Sequence, residues 1–271
     1  TSSIVTNSEL VAEQRAYLPL AWLCLALAWL WGSTGRPGRS PWPRLSLAAV
    51  LLLTLAGLTV RRNALWRDPL ALWQDAARQA PTAPRPWLAI GNLQDRRGGV
   101  EQAAQAYQQA LRVAPGYAPA LSNLGSLYLR LGHDDEAEPL LEAARASAPM
   151  MADPWYNLAL LHGQRGDHEG ALALYQGAVD RQSRFPDAWY MLGLTYEELK
   201  QPEAAMTAYR ECLRLQAHPL ASLRVGRLRQ QAGDLDGAEQ ALKLATQWQP
   251  SLVPAWLQLA QLALVREQPQ A

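Results

Sequence analysis

Asn123 and Asn157 stand 34 residues apart, Tyr156 and Tyr190 stand 34 apart as well, and Asn92 lies 31 residues before Asn123. A primary amide donates and accepts hydrogen bonds at once. A row of Asn side chains can therefore pair with the backbone of an extended peptide without reading its sequence. A neighbouring Tyr pair adds apolar contact area with a polar tip. These five residues are candidate peptide-binding groups. The competing expectation is that they only solvate or pack the face that carries them. Near the N terminus, Glu13 and Arg15 flank Gln14 just ahead of an apolar run. The two charges there can serve as an ordinary interfacial anchor.

Other chemistry finds no residues to carry it. The four His (133, 162, 168 and 218) have no Cys or carboxylate set at metal-ligand spacing, and His133 and His168 fall in expected turns. The acidic run "HDDEAE" (133–138) occupies a turn and a helix start, where Asp caps and Glu suits the dipole. No nucleophile–base arrangement, P-loop or glycine-rich phosphate loop is present. No catalytic residue, metal or cofactor is expected, and any enzymatic activity is expected to belong to residues upstream of Thr1. The charge balance, 25 basic against 24 acidic residues, gives no pull toward nucleic acid. Cys24 and Cys212 lie in apolar contexts and read as buried thiols, not as a disulfide framework. Only two basic residues are Lys; with abundant Ala and Leu, this points to a GC-rich bacterial genome. A chain that starts with Thr reads as a fragment or a processed form.

The elements that position the Asn and Tyr residues are legible as a repeat. Trp87, Leu121, Trp155 and Trp189 form one series with a period of 34. Gly91, Gly125, Ala159 and Gly193 form a second, and Ala103, Ala137, Ala171 and Ala205 a third. Tyr107, Leu141, Tyr175 and Tyr209 form a fourth. After the loss of one residue, Gly226, Ala238, Leu242, Ala245 and Pro250 continue the scheme. This is the tetratricopeptide (TPR) signature, a pair of helices per unit. Small residues at the eighth and twentieth positions let the two helices approach, and the large residues fill the space between them. Gly98, Gly132, Gly166 and Gly233 sit where first helices end.

Units are expected at 84–117, 118–151, 152–185, 186–218 and 219–252, with a partial sixth at 253–271 whose only helix covers the second helix of unit five. Residues 62–83 form a juxtamembrane half repeat, "DPLALWQDAARQAP" (68–81) being a lone second helix. In a TPR stack the first helices line the concave face. There Asn123 and Asn157 take the sixth position, Asn92 the ninth, and Tyr156 and Tyr190 the fifth. The row is similar to the asparagine ladder of O-GlcNAc transferases, although Ala89, Met191, Arg224 and Gln258 interrupt it.

Residues 1–15 precede an apolar pair. Ala16–Gly35 is twenty uncharged residues and Leu45–Val60 sixteen, so a membrane hairpin is expected at 16–61, with helices at about 16–33 and 45–61. Tyr17, Trp29 and Trp31 suit the two headgroup levels. The connecting loop carries Arg36, Arg39 and Arg44 and no acid, which places it in the cytoplasm and both flanks outside. The whole is an all-α protein: two transmembrane helices followed by an α-solenoid, held at a bacterial inner membrane with the repeats on the periplasmic side.

"AEQRAYLP" (12–19), two apolar helices, "RRNALWRDPLALWQDAARQAP" (61–81) and then repeats resemble the C-terminal part of TPR-bearing O-mannosyltransferases and their bacterial relatives. That resemblance implies a polyprenyl-phosphate sugar donor, repeats on the non-cytoplasmic side, and catalytic acids in an early loop that this chain does not contain. Glu13 and Arg15, with Gln14 between them, match the family's Glu-Arg element, which implies an arginine in contact with the donor's phosphates. Two readings stand. The chain is the C-terminal segment of a membrane glycosyltransferase whose repeats bind the acceptor protein, or a membrane-tethered TPR adaptor with no enzyme attached.

Overall fold

A computed structural model describes residues 68–267 and, ahead of them, residues 46, 49–50, 53–58 and 60. The chain forms two compact units, Thr1–Gln79 and Ala80–Ala271. In the first, every described residue of the expected 45–61 helix is helical, and α1 spans Pro69–Gln79. Asp68 caps α1 by accepting from the Leu70 amide at 3.0 Å. The expected span over 16–33 lies outside the described residues. Among those described, no helix is long and apolar enough to cross a membrane.

The second unit is all helix among the described residues. Its first helices are α2 (Pro84–Arg96), α4 (Ala118–Arg130), α6 (Ala152–Gln164), α8 (Pro186–Glu198) and α10 (Pro219–Gln231), each of 13 residues. Each is followed by a second helix of 14: α3 (Val100–Val113), α5 (Asp134–Ser147), α7 (His168–Arg181), α9 (Pro202–Leu215) and α11 (Leu235–Trp248). The final helix, α12, spans Val253–Glu267. Helices α2, α4, α8 and α10 carry Pro in the first turn, where the missing N–H has no intrahelical partner to lose.

Each first helix stops by the same device. A residue with positive φ follows it, and the next amide reaches back five residues, as Gly99 does to the Gln94 carbonyl and Asp234 to that of Arg229, both at 2.9 Å. Gly98, Gly132, Gly166 and Gly233 supply the left-handed residue at φ of 75–81°. In unit four the same turn is made by Lys200 at φ 59°, with the Gln201 amide on the Tyr196 carbonyl at 2.9 Å. The hydrogen bonds are kept, and the steric cost of a Cβ is accepted.

Within each unit the helices close on one point. A Cβ built on Gly125 would lie 2.7 Å from Leu141 Cγ, and one on Gly226 2.7 Å from Leu242 Cγ. At Gly91 and Gly193 it would fall inside van der Waals contact with the Tyr107 and Tyr209 rings. Ala159 stands at this point in unit three, opposite Tyr175. These five opposing side chains are all buried. The core also runs between units: one cluster joins Leu129, Leu141, Leu158, Tyr175 and Leu192, drawn from five successive helices. Cys212 is buried with its thiol free, and burial pushes that thiol up to about 12.

Replacing Lys200 with Gly removes the left-handed strain and keeps the backbone hydrogen bonds. Lys200→Gly is expected to stabilise the chain by about 1 kcal/mol, read as a higher urea midpoint. A lower midpoint would show that the lysine side chain holds something the backbone geometry does not reveal.

Candidate peptide-binding face

The first helices lie side by side, and the face they form carries a polar group at each end with an aromatic stretch between them. At the N-terminal end, Asn92 Oδ1 accepts from Tyr107 Oη at 2.9 Å and from Asn123 Nδ2 at 2.7 Å. Asp95, one turn on, holds Arg130 of α4 through two hydrogen bonds, one of 3.1 Å from Nη1 and a shorter one from Nη2. The Asp95 carboxylate accordingly raises the Arg130 guanidinium further. These side chains, with Arg96 and Ser126, surround an open depression of about 240 Å³.

At the C-terminal end the centre is Glu197 on α8, whose side chain is only 12% exposed. It accepts from Tyr209 Oη at 2.5 Å and from Arg227 Nη2, and Arg224 Nη1 stands 3.6 Å away. Tyr190 packs beside this group, its ring 5.9 Å from that of Tyr209 and 4.4 Å from that of His218. His218 Nδ1 accepts from the Ala221 amide at 3.0 Å and so caps α10 as a neutral imidazole; burial lowers its basicity.

The middle is different. Tyr156 lies against Phe185 and edge-on to Tyr175, with ring centroids 4.9 and 5.7 Å away. Leu160, Met191 and Leu194 are partly buried around this stretch. Asn157 is 8% exposed, and its amide makes no side-chain hydrogen bond among the described residues. Its polar atoms are nevertheless not sealed from solvent. A buried amide in that state has donors and an acceptor available to whatever lies on the face.

The five expected residues therefore divide. Asn92 and Asn123 bond to each other, Tyr156 and Tyr190 pack within the face, and Asn157 is left unpaired. Glu13 and Arg15 lie outside the described residues. The sequence reading passed over Asp95–Arg130 and Glu197–Arg227, which tie neighbouring units together. The signal was available: an acid at the twelfth position of one unit, with arginine 35 or 30 residues later. Among the described residues no group of three or more His, Cys, Asp or Glu is placed to hold a metal ion.

Burial dominates the acidity of the tyrosines. It pushes Tyr107 and Tyr156 up to about 12, with Asp95 and Asp187 adding their repulsion, and lifts Tyr175 and Tyr209 further still. A phenol held neutral by the fold contributes its stability in full below the unfolded value of 10.0. That contribution is lost as pH rises toward the folded value. Stability should fall across about pH 10–12, and these four of the nine tyrosines should give phenolate absorbance only as helix is lost. All nine titrating with the helical signal intact would contradict this packing.

Comparison with known proteins follows the same lines. The chain matches the Tetratricopeptide repeat family over residues 88–152, 123–188, 156–222 and 190–251. Together these matches span more than half of its length. It is 32% identical over 101 residues to the Protein O-mannosyl-transferase Tmtc3 of Drosophila melanogaster. That match covers 36% of this chain and 11% of the fly protein, so it spans about a tenth of that relative's length. Pseudomonas aeruginosa pilF is similar in structure at a TM-score of 0.63 and 23% identity, over 68% of this chain and 84% of pilF. YrrB, described as a TPR protein with an unusual peptide-binding site, superposes at 0.53 and 20% identity, over 68% of this chain and 95% of its own. At those identities the two structures bear on the fold alone. Helix pairs of constant length, the repeated glycine-to-tyrosine contact and the profile match agree: the chain belongs to the tetratricopeptide repeat family.

Proposed function

We propose that the first-helix face binds an extended segment of a partner protein, with Asn157 pairing to its backbone and the Tyr156–Tyr190 stretch supplying apolar contact. A TPR stack is a scaffold suited to protein interaction, and YrrB, which shares the fold, is itself described as having a peptide-binding site. The observation that carries the proposal is the unpaired amide of Asn157. Asn92 and Asn123 satisfy each other and the tyrosine beneath, so they hold units one and two in register and leave Asn157 to the ligand.

A finer reading follows from the likeness to Tmtc3. In it the chain is the repeat-bearing C-terminal part of a membrane glycosyltransferase that uses a polyprenyl-phosphate sugar, and the bound segment is the acceptor protein. Residues 16–33 and 45–61 would cross the membrane, the repeats would lie on the periplasmic side, and Glu13 and Arg15 would sit at the lipid phosphates. Val50, Leu53, Leu58 and Val60 support the membrane part, being helical with half or more of each residue's surface exposed. The Thr54 hydroxyl, bonded to the Val50 carbonyl at 2.7 Å, is satisfied within its own helix, as a lipid-facing hydroxyl must be. The alternative is a membrane-tethered adaptor. The gene upstream of Thr1 separates them: further apolar spans with an acidic extracytoplasmic loop favour the enzyme, and a nearby start codon favours the adaptor.

The binding proposal is tested with peptides selected by the full chain from a displayed random library. Asn157→Ala should weaken them by about tenfold, near 1.4 kcal/mol, with the helical melt unchanged. Asn123→Ala should instead lower stability by about 1 kcal/mol, because Asn92 loses a donor. Equal affinity of wild type and Asn157→Ala would end the assignment.

A further inference from the structure

The far end of the stack carries a surface that the peptide-binding reading does not use. Helix α12 buries Ala255 and Leu262 against unit five, where Leu262 joins Ala238 and Leu242, and Ala255 joins Ala245 and Leu252. Its other side is apolar and open. Val253, Trp256, Leu257 and Leu264 are exposed by 52–62%, and Ala260 lies among them at helical spacing. Ala260 holds the register of Gly91, Gly125, Gly193 and Gly226. At each of those glycines a large side chain of the second helix seats itself. The stripe on α12 is thus a helix seat of the kind used throughout the stack, and among the described residues nothing fills it.

We propose that a second copy of this chain fills it, the two α12 helices packing antiparallel across a two-fold axis at Ala260. The stripe is close to self-complementary about that residue. Trp256 and Leu264 lie four residues to either side, and Leu257 and Ala263 three to either side. An antiparallel pair therefore sets Trp256 of each copy against Leu264 of the other, and the alanines at the crossing let the helices approach closely. Residues 253–265 contain no ionisable side chain, so pairing brings no like charges together. An isologous contact needs this match of a patch with itself.

Light scattering on the full chain in detergent, corrected for the micelle, reads the outcome directly. The protein mass should be twice 29.9 kDa. Leu257→Asp with Leu264→Asp should return it to a monomer with an unchanged helical melt, since both side chains are exposed. Ala260→Cys should give a disulfide-linked dimer that the parent chain, with its own two cysteines, does not give. A wild type that stays monomeric at high micromolar concentration overturns the proposal and leaves the seat to a helix from elsewhere. A dimer indifferent to the Asp pair, or an Ala260→Cys chain that does not cross-link, overturns it too.

Discussion

The repeat unit depends on how closely two helices approach at one point, where a glycine or alanine of the first meets a buried tyrosine or leucine of the second. That contact sets the distance between helices, and the distance decides which side chains fit around it. A buried tyrosine or leucine is worth about 1.5–3 kcal/mol of apolar burial, which is realised only if the opposite helix leaves room for it. Ala159 opposite Tyr175 shows that one methyl group can be fitted when the ring is set for it; the other four full units use none. Since each unit packs only on its neighbours, the same local rule applied five times builds the whole stack.

Once the pairs are fixed, the first helices stand in register and the polar residues on them must find partners across 30–35 residues of sequence. At both ends they do. Asn92 with Asn123, Asp95 with Arg130 and Glu197 with Arg227 each join neighbouring units. In the middle, Leu160 and Met191 hold the positions that Asn92 and Asn123 take in units one and two, and Asn157 makes no side-chain hydrogen bond among the described residues. The face thus has two self-satisfied ends and an aromatic, apolar centre holding one free amide. A side chain committed to the fold and one available to a ligand differ here only in what the next unit offers.

Much of this was legible in the sequence, and the reason is physical. Small and large residues at fixed positions of a 34-residue period report a packing constraint, so the all-helical TPR stack could be read from Gly91, Tyr107 and their counterparts. Lys200 escaped that reading, because a turn that favours glycine tolerates lysine at a cost no pattern displays. The division among the asparagines escaped it too. Position placed Asn92, Asn123 and Asn157 on one face, but whether an amide is used up depends on its neighbour's rotamer and on helix rotation. In the Glu197 group the acid and arginine spacing was legible, but only the fold brings Tyr209 to the same carboxylate.

The closest test of the packing rule compares two glycines of first helices, one facing a ring across the unit and one not. At Gly193 a Cβ runs into the buried Tyr209 ring, whereas at Gly163 it meets nothing nearer than the Ala171 Cβ at 3.9 Å. Equilibrium urea unfolding of the full chain should show Gly193→Leu losing at least about 2 kcal/mol, while Gly163→Leu stays within about 0.5 kcal/mol of wild type. Equal stability of the two variants would contradict the claim that this single approach distance governs the stack.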